Sequence, residues 1–372
     1  MDAKRLLFPA LVALVAGCAQ RSLSTQVLPI AALPTHEVRP NAAPEQRGPA
    51  DTNQIFRVDG RDDRKIIYRD NERENAPLTL LFLHGIGASK VAWKYVAPQF
   101  ADRFRIISLD LLGHGDSDKP VEFSYSMAEQ AGIIRKFIAA RCLSNLVIIG
   151  HSYGAGVALE SALPFLQSGN PWVNTAADGR APIIRGLVAI DPAAVYFPKP
   201  SLLRLMSGTS VSLLDLLFST DKRARLLLEV VFWDRPRIPP DLESEYDRIF
   251  RDPRTTDVYM WIADTELFRE LRARQSQENR YRAIACPVLV LRGEHDRVVP
   301  PDVPDRLCRL LPDSRLETVS ACGHSPAEEQ PAETSARIQQ FLTDRILASP
   351  MRVAAIPVAQ VAGAAPVLSA NP

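Results

Sequence analysis

The sequence predicts an α/β fold: a mostly parallel, eight-stranded sheet with helices on both faces and an inserted helical cap. Three observations carry this. Short apolar runs recur that are continuous and not alternating, as strands covered on both faces require. They are LTLLFLHG (78–85), RIISLDLLG (105–113), NLVIIG (145–150), RGLVAID (185–191), PVLVLRGEHD (287–296) and RLETVS (315–320). Helical patterns lie between them, and that alternation argues a parallel sheet. One stretch, Pro192 to Arg282, breaks the rhythm with helical segments alone.

The 372 residues suffice for one large core with insertions. Lys and Arg number 44 against 43 Asp and Glu, a net charge of +1, so the chain lacks the basic excess of a nucleic-acid partner. The N-terminus stands apart. Lys4 and Arg5 precede an apolar run from Leu6 to Ala16, roughly half the ~20 residues of a spanning helix but sufficient for a signal-peptide core. Val15-Ala16-Gly17-Cys18 closes it and resembles the lipobox of bacterial lipoproteins. The resemblance implies that residues 1–17 are removed as a lipoprotein signal peptide and that the Cys18 sulfur carries a lipid. It also implies a place in the bacterial cell envelope. Ala19, rather than Asp, follows the cysteine, which by analogy favours the outer membrane facing the periplasm. Residues 18–52, with five prolines from Pro29 to Pro49, read as a flexible tether.

The α/β core is expected over 53–191 and 283–349. QIFRVDG and RKIIYRD look like an antiparallel pair leading in, and Ser126–Ala140, Gly154–Leu166, Pro301–Leu311 and Glu328–Leu347 are the expected core helices. A polar insertion, Gln167–Pro182, precedes RGLVAID. The cap, 192–282, is expected to hold helices at Ser210–Ser219, Lys222–Trp233, Asp241–Phe250 and Asp257–Gln275, punctuated by prolines. Its leucines, among them Leu202, Leu205, Leu213 and Leu217, read either as the cap's own core or as an acyl pocket. The tail, 350–372, lies outside the core. Cys142, Cys286, Cys308 and Cys322 fit no zinc spacing. A Cys308–Cys322 disulfide is conceivable in an exported chain.

The stretch Asn145–Glu160, NLVIIGHSYGAGVALE, runs from strand formers to helix formers across Gly150, Ser152, Gly154 and Gly156. A turn that sharp puts Ser152 in a strained position with other backbone passing close. Gly150-His151-Ser152-Tyr153-Gly154 is G-x-S-x-G with a strand before it and a helix after, and it resembles the nucleophile elbow of the α/β-hydrolase superfamily. A serine alcohol needs a base, and the base an orienting acid. The superfamily order is Ser, acid, His, and His324, in CGHSP after the last strand, is the histidine far enough downstream. His36, His84, His114, His151 and His295 read as structural or peripheral. Gly293-Glu294-His295-Asp296-Arg297-Val298-Val299-Pro300 resembles the superfamily's acid turn and favours Asp296. Asp191, which ends the preceding strand, is its rival. The amide of Tyr153 follows the nucleophile and is the first oxyanion donor expected. His84-Gly85-Ile86-Gly87 resembles the superfamily's HG-x motif, which assigns the second to the amide of Ile86.

The resemblance spans about Asn53 to Leu347. It implies a serine hydrolase acting on small ester or acyl substrates, with no metal and no cofactor. The same residues leave open carbon–carbon hydrolysis, acyl transfer to an alcohol, and a non-enzymatic envelope binding protein.

Overall fold

Runs of Val, Ile and Leu suit a pleated strand because branched side chains pack well on it. In the computed structural model, which describes residues 52–166, 184–198, 219–262 and 267–348, eight such segments are strands. They are β1 (Gln54–Arg57), β2 (Lys65–Asp70), β3 (Thr79–Leu83), β4 (Arg105–Leu109), β5 (Leu146–His151), β6 (Ile184–Ile190), β7 (Val288–Gly293) and β8 (Ser314–Val319). They form one sheet in the order β1-β2-β4-β3-β5-β6-β7-β8. β2 runs antiparallel to both β1 and β4, and the other pairs are parallel.

The helices are α1 (Met127–Ala140), α2 (Tyr153–Leu166), α3 (Thr220–Val231), α4 (Pro240–Phe250), α5 (Pro253–Met260), α6 (Leu267–Ala273), α7 (Asp302–Leu310), α8 (Pro326–Glu329) and α9 (Pro331–Phe341). Every residue of β3 is buried, and the strand's period of two divides them between two cores. Leu81 and Leu83 join one with Phe137 of α1 and Val157 of α2. Leu80 and Phe82 point to the other, with Ile338 and Phe341 of α9. Covering both faces is what makes the central strands read as unbroken apolar runs. β2, by contrast, alternates between buried and partly exposed residues.

Two expected helices are broken. Glu328–Leu347 divides at Gln330, which takes φ −131° and ψ 59°. Pro331 follows it, and a residue before proline is driven out of the helical region. The chain then ends its described part in a π-helical turn, Leu342–Leu347. Asp257–Gln275 is likewise α5, then α6, then a 3-10 run from Gln275 to Ala283. The signal segment, Cys18, all but the last residue of the tether, the tail, the whole polar insertion, the cap leucines from Leu202 to Leu217 and all but the last residue of the expected helix Ser210–Ser219 lie outside the described residues. Among the described residues, Cys142, Cys286, Cys308 and Cys322 are all free thiols, and no helix is long and apolar enough to cross a membrane.

Between β6 and β7, α3 and α4 bury Ala224, Leu228, Leu242, Tyr246 and Ile249 in the larger core. Ion pairs tie this cap to the loops below: Lys94–Asp241 (2.5 Å), Arg248–Asp116 (2.7 Å) and Lys119–Asp252 (2.9 Å). A buried tie joins them, since Tyr246 Oη donates to Glu328 Oε1 at 2.9 Å. Burial, opposed by the hydrogen bonds of Tyr246 and Ser325, pushes Glu328 up to about 7. The unfolded chain releases that proton near an ordinary 4.5. Between these values the native state binds more protons, so stability falls as pH rises from about 4.5 to about 7 and changes no further from this source above it. In urea unfolding at pH 5 and pH 8, the wild type is expected to lose on the order of 2–3 kcal/mol more than Glu328→Gln. Equal pH dependence in the two proteins would refute this.

Candidate active site

Ser152 lies between β5 and α2 with φ 53°, in the left-handed region that a non-glycine residue enters at a cost. Neighbouring strands hold it there. Its amide donates to Ile190 O (2.8 Å), and its carbonyl accepts from the amides of Ala155, Gly156 and Ala193. The expected crowding is present. A Cβ on Gly150 would stand 2.6 Å from Ala155 Cα, and one on Gly154 would stand 2.5 Å from Leu83 O and closer still to His84 O. The backbone after β3 thus runs directly over the start of α2.

His324 and Asp296 reach Ser152 from the loops after β8 and β7. Ser152 Oγ–H donates to His324 Nε2 at 3.0 Å, and His324 Nδ1–H donates to Asp296 Oδ2 at 2.8 Å. Asp296 Oδ1 accepts from the amides of Val298 (2.7 Å) and Val299 (3.0 Å). Burial opposes ionisation of Asp296, but the His324 ring and these two amides outweigh it and hold the carboxyl below its ordinary value. Asp191 does not join this chain. It is 1% exposed at the end of β6, and its Oδ1 accepts from Gly293 N–H at 2.9 Å.

The two expected oxyanion donors are on adjacent backbone. Tyr153 is the first residue of α2, where N–H groups point out of the helix start. Ile86 follows Gly85, whose Cβ, if present, would lie 3.1 Å from Ser152 Cβ. His84 supports that loop, donating through Nδ1–H to Gly85 O and accepting at Nε2 from Leu111 N–H. His151 also has a structural place: its Nε2–H donates to His324 O at 2.6 Å. Burial and the neighbouring His324 ring push His151 down to about 3, so it is neutral. His151, Asp191 and His324 form a metal-sized grouping. Both ring nitrogens of His324 are engaged with Ser152 and Asp296, however, so the trio is not a free ligand set.

Sequence reasoning missed how the cap meets these turns. The amide of His324 donates to Val231 O, at the end of α3, at 2.7 Å. Glu329 Oε2 accepts from Trp233 N–H (2.7 Å), while its Oε1 accepts from Gly323 N–H (2.9 Å) and Ser325 N–H (3.2 Å). The Trp233 ring stacks on His295 with centroids 4.0 Å apart, and Arg297 Cζ lies 4.6 Å from the centroid of the Trp233 ring. Val231–Trp233 therefore touches both the acid turn and the base turn. The available signal was the Glu328-Glu329 doublet directly behind the His324 turn.

A family-level profile described as the alpha/beta hydrolase family matches residues 80–337. The chain is 26% identical to the uncharacterized hydrolase YugF of Bacillus subtilis, over 77% of this chain and 96% of that one. It is 24% identical to the 2-hydroxymuconate semialdehyde hydrolase of Pseudomonas sp. CF600, over 72% and 88%. Among solved structures it is similar to a membrane phospholipase A described as a bacterial virulence factor: TM-score 0.61, 28% identity, 78% of this chain and 86% of that one.

The crossing at Gly154 yields a paired test. Gly154→Ala is expected to cost about 1–3 kcal/mol, because backbone oxygens stand where the methyl must go. Gly132, inside α1, would meet only Arg135 Nη2 at 3.8 Å, so Gly132→Ala should gain about 0.5–1 kcal/mol. Denaturant midpoints check both, and a Gly154→Ala protein as stable as wild type would show that the crossing is not tight.

Proposed function

The chain belongs to the alpha/beta hydrolase family, and on that premise we propose that it is a serine hydrolase that cleaves carboxylic esters through an acyl-enzyme. The observation that carries this is the unbroken hydrogen-bond line from Asp296 through His324 to Ser152. Ser152 Oγ attacks the acyl carbon while His324 Nε2 takes its proton. Asp296 holds the imidazole with Nδ1 protonated and stabilises the imidazolium that forms. The amides of Ile86 and Tyr153 receive the oxyanion. His324 returns the proton to the leaving alcohol, and water, activated by the same imidazole, hydrolyses the acyl-enzyme.

Likeness to a membrane phospholipase A supports an ester as the substrate. Carbon–carbon hydrolysis on the same residues is the second reading, favoured by the likeness to a 2-hydroxymuconate semialdehyde hydrolase. A screen of nitrophenyl esters of rising chain length against a vinylogous 1,5-diketone separates the two. For the ester reading, a fluorophosphonate probe should label the wild type and leave Ser152→Ala unlabelled. Ester turnover in the variant should fall to the residual left by oxyanion stabilisation and binding, a loss on the order of 10⁶ in a comparable triad. A folded Ser152→Ala protein with near-wild-type turnover would remove the serine from the mechanism.

The location we propose is the periplasmic face of the outer membrane, with the mature chain anchored by lipid on Cys18. The support is the segment from Lys4 through Val15-Ala16-Gly17-Cys18. Metabolic labelling with a radioactive fatty acid should mark the wild type, and Cys18→Ser should take up none and keep its leader. Equal incorporation by both would end the proposal.

A further inference from the structure

The Asp191 carboxyl has no part in the mechanism above, yet it is buried beside it. One of its oxygens and one ring nitrogen from each of His151 and His324 lie within 4.8 Å of one another. Its Oδ1 accepts from Gly293 N–H, while its Oδ2, fully buried, meets no donor. The carboxyl of Asp296, bonded to that same His324 ring, is its charged neighbour. Two carboxylates facing each other inside a protein repel, and such a pair settles by keeping one proton.

The donors on each side decide which keeps it. Asp296 accepts from the His324 ring and from the amides of Val298 and Val299. Asp191 accepts from one amide, that of Gly293. Among the described residues, the titratable groups facing it are His151, Asp296, Cys322, His324 and Glu329. Resting on the Ser152–His324–Asp296 reading, we propose that Asp191 and Asp296 form a carboxylic acid–carboxylate pair. Asp191 keeps the proton and donates it in a hydrogen bond to Asp296, which makes Asp191 a positioning residue for the acid of the triad. Burial, and then the charge of Asp296, push Asp191 well above the ordinary carboxyl value, in agreement. The backbone also suits the role, because Asp191 has φ 42°, a conformation that Asp and Asn tolerate better than most residues.

A neutral acid and an ionised one respond oppositely to Asp191→Asn. The amide supplies an N–H toward Asp296 and an oxygen toward Gly293 N–H, and it carries no charge. The test compares Asp191→Asn, Asp191→Ala and Asp296→Asn, after circular dichroism confirms folding. The readouts are nitrophenyl ester turnover against pH and infrared difference spectra at pH 8. Asp191→Asn should lower kcat only a few-fold, with a pH profile of kcat/KM that superimposes on wild type because no charge has been removed. Asp191→Ala should lower kcat by roughly ten- to a hundredfold with little change in KM, the factor carried by one hydrogen bond to a charged group. Asp296→Asn should lose about four orders of magnitude, as loss of the correct tautomer does. The wild-type minus Asp191→Asn spectrum should contain the carbonyl band of a protonated carboxyl. Absence of that band, a displaced pH profile in Asp191→Asn, or a loss in Asp191→Asn as deep as in Asp296→Asn would each overturn the proposal. Because the infrared band needs no substrate, it reports on Asp191 even if the ester reading fails.

Discussion

The turn at Ser152 is the constraint from which the rest of the site follows. A left-handed serine between a strand and a helix is unfavourable by itself. It persists because β5 lies between β3 and β6, and the chain leaving each of them closes on the turn. Ile190 takes the serine amide and Ala193 donates to the serine carbonyl. The loop after β3 crosses at Gly154 with no room for a side chain. Loosening any of these contacts would let the turn relax toward ordinary backbone and carry Oγ away from His324.

His324 is fixed with comparable redundancy. Its ring bonds to Ser152 and Asp296, its carbonyl accepts from His151, and its amide donates to Val231. The last contact changes the standing of the cap. The end of α3 supplies a backbone acceptor to the base turn, and Trp233 lies on His295 beside the acid. Glu329 binds both sides of that junction through backbone amides. The end of α3 is therefore built into the geometry of the His324 turn, and a displacement of α3 would be felt first at His324.

Much of this was legible in the residues. β3, β5, β6 and β7 were visible because burial on both faces removes polar residues and leaves unbroken apolar runs. Ser152 was visible because steric crowding demands glycines around it. Asp296 and His324 could be singled out through the resemblance to the superfamily's acid turn and chain order, and the structure brings both to Ser152. The break at Gln330 was also written in the sequence, as Pro331, but the apolar pattern of Ile338, Phe341 and Leu342 ran across it and concealed it. The contacts of Val231, Trp233 and Glu329 with the His324 and Asp296 turns left no signal beyond the Glu328-Glu329 doublet. Apart from the contacts of the Trp233 ring with His295 and Arg297, these hydrogen bonds have a backbone atom as at least one partner, and backbone carries no residue signature. The preference for Asp296 over Asp191 rested on the resemblance of its turn, but the proposed sharing of a proton between them was not legible, since it depends on the amides aimed at each one.

That division matters for the charge the site carries through the reaction. His84 and His151 are both pushed toward neutrality by burial, so with Asp191 protonated, as proposed, Asp296 is the one anion hydrogen-bonded to the His324 ring. In the proposed mechanism, attack by Ser152 makes an imidazolium and an oxyanion appear together. The cation forms against Asp296 and the anion forms against backbone amides, so the site's net charge does not change. In a buried site, where Coulomb terms are large, a reaction that only redistributes charge needs little rearrangement of its surroundings. A second anion at Asp191 would favour the imidazolium, but it would also act on the oxyanion a few ångströms further on, with the opposite sign. A proton kept on Asp191, as proposed, would confine the stabilising negative charge to the one carboxylate that touches the imidazole.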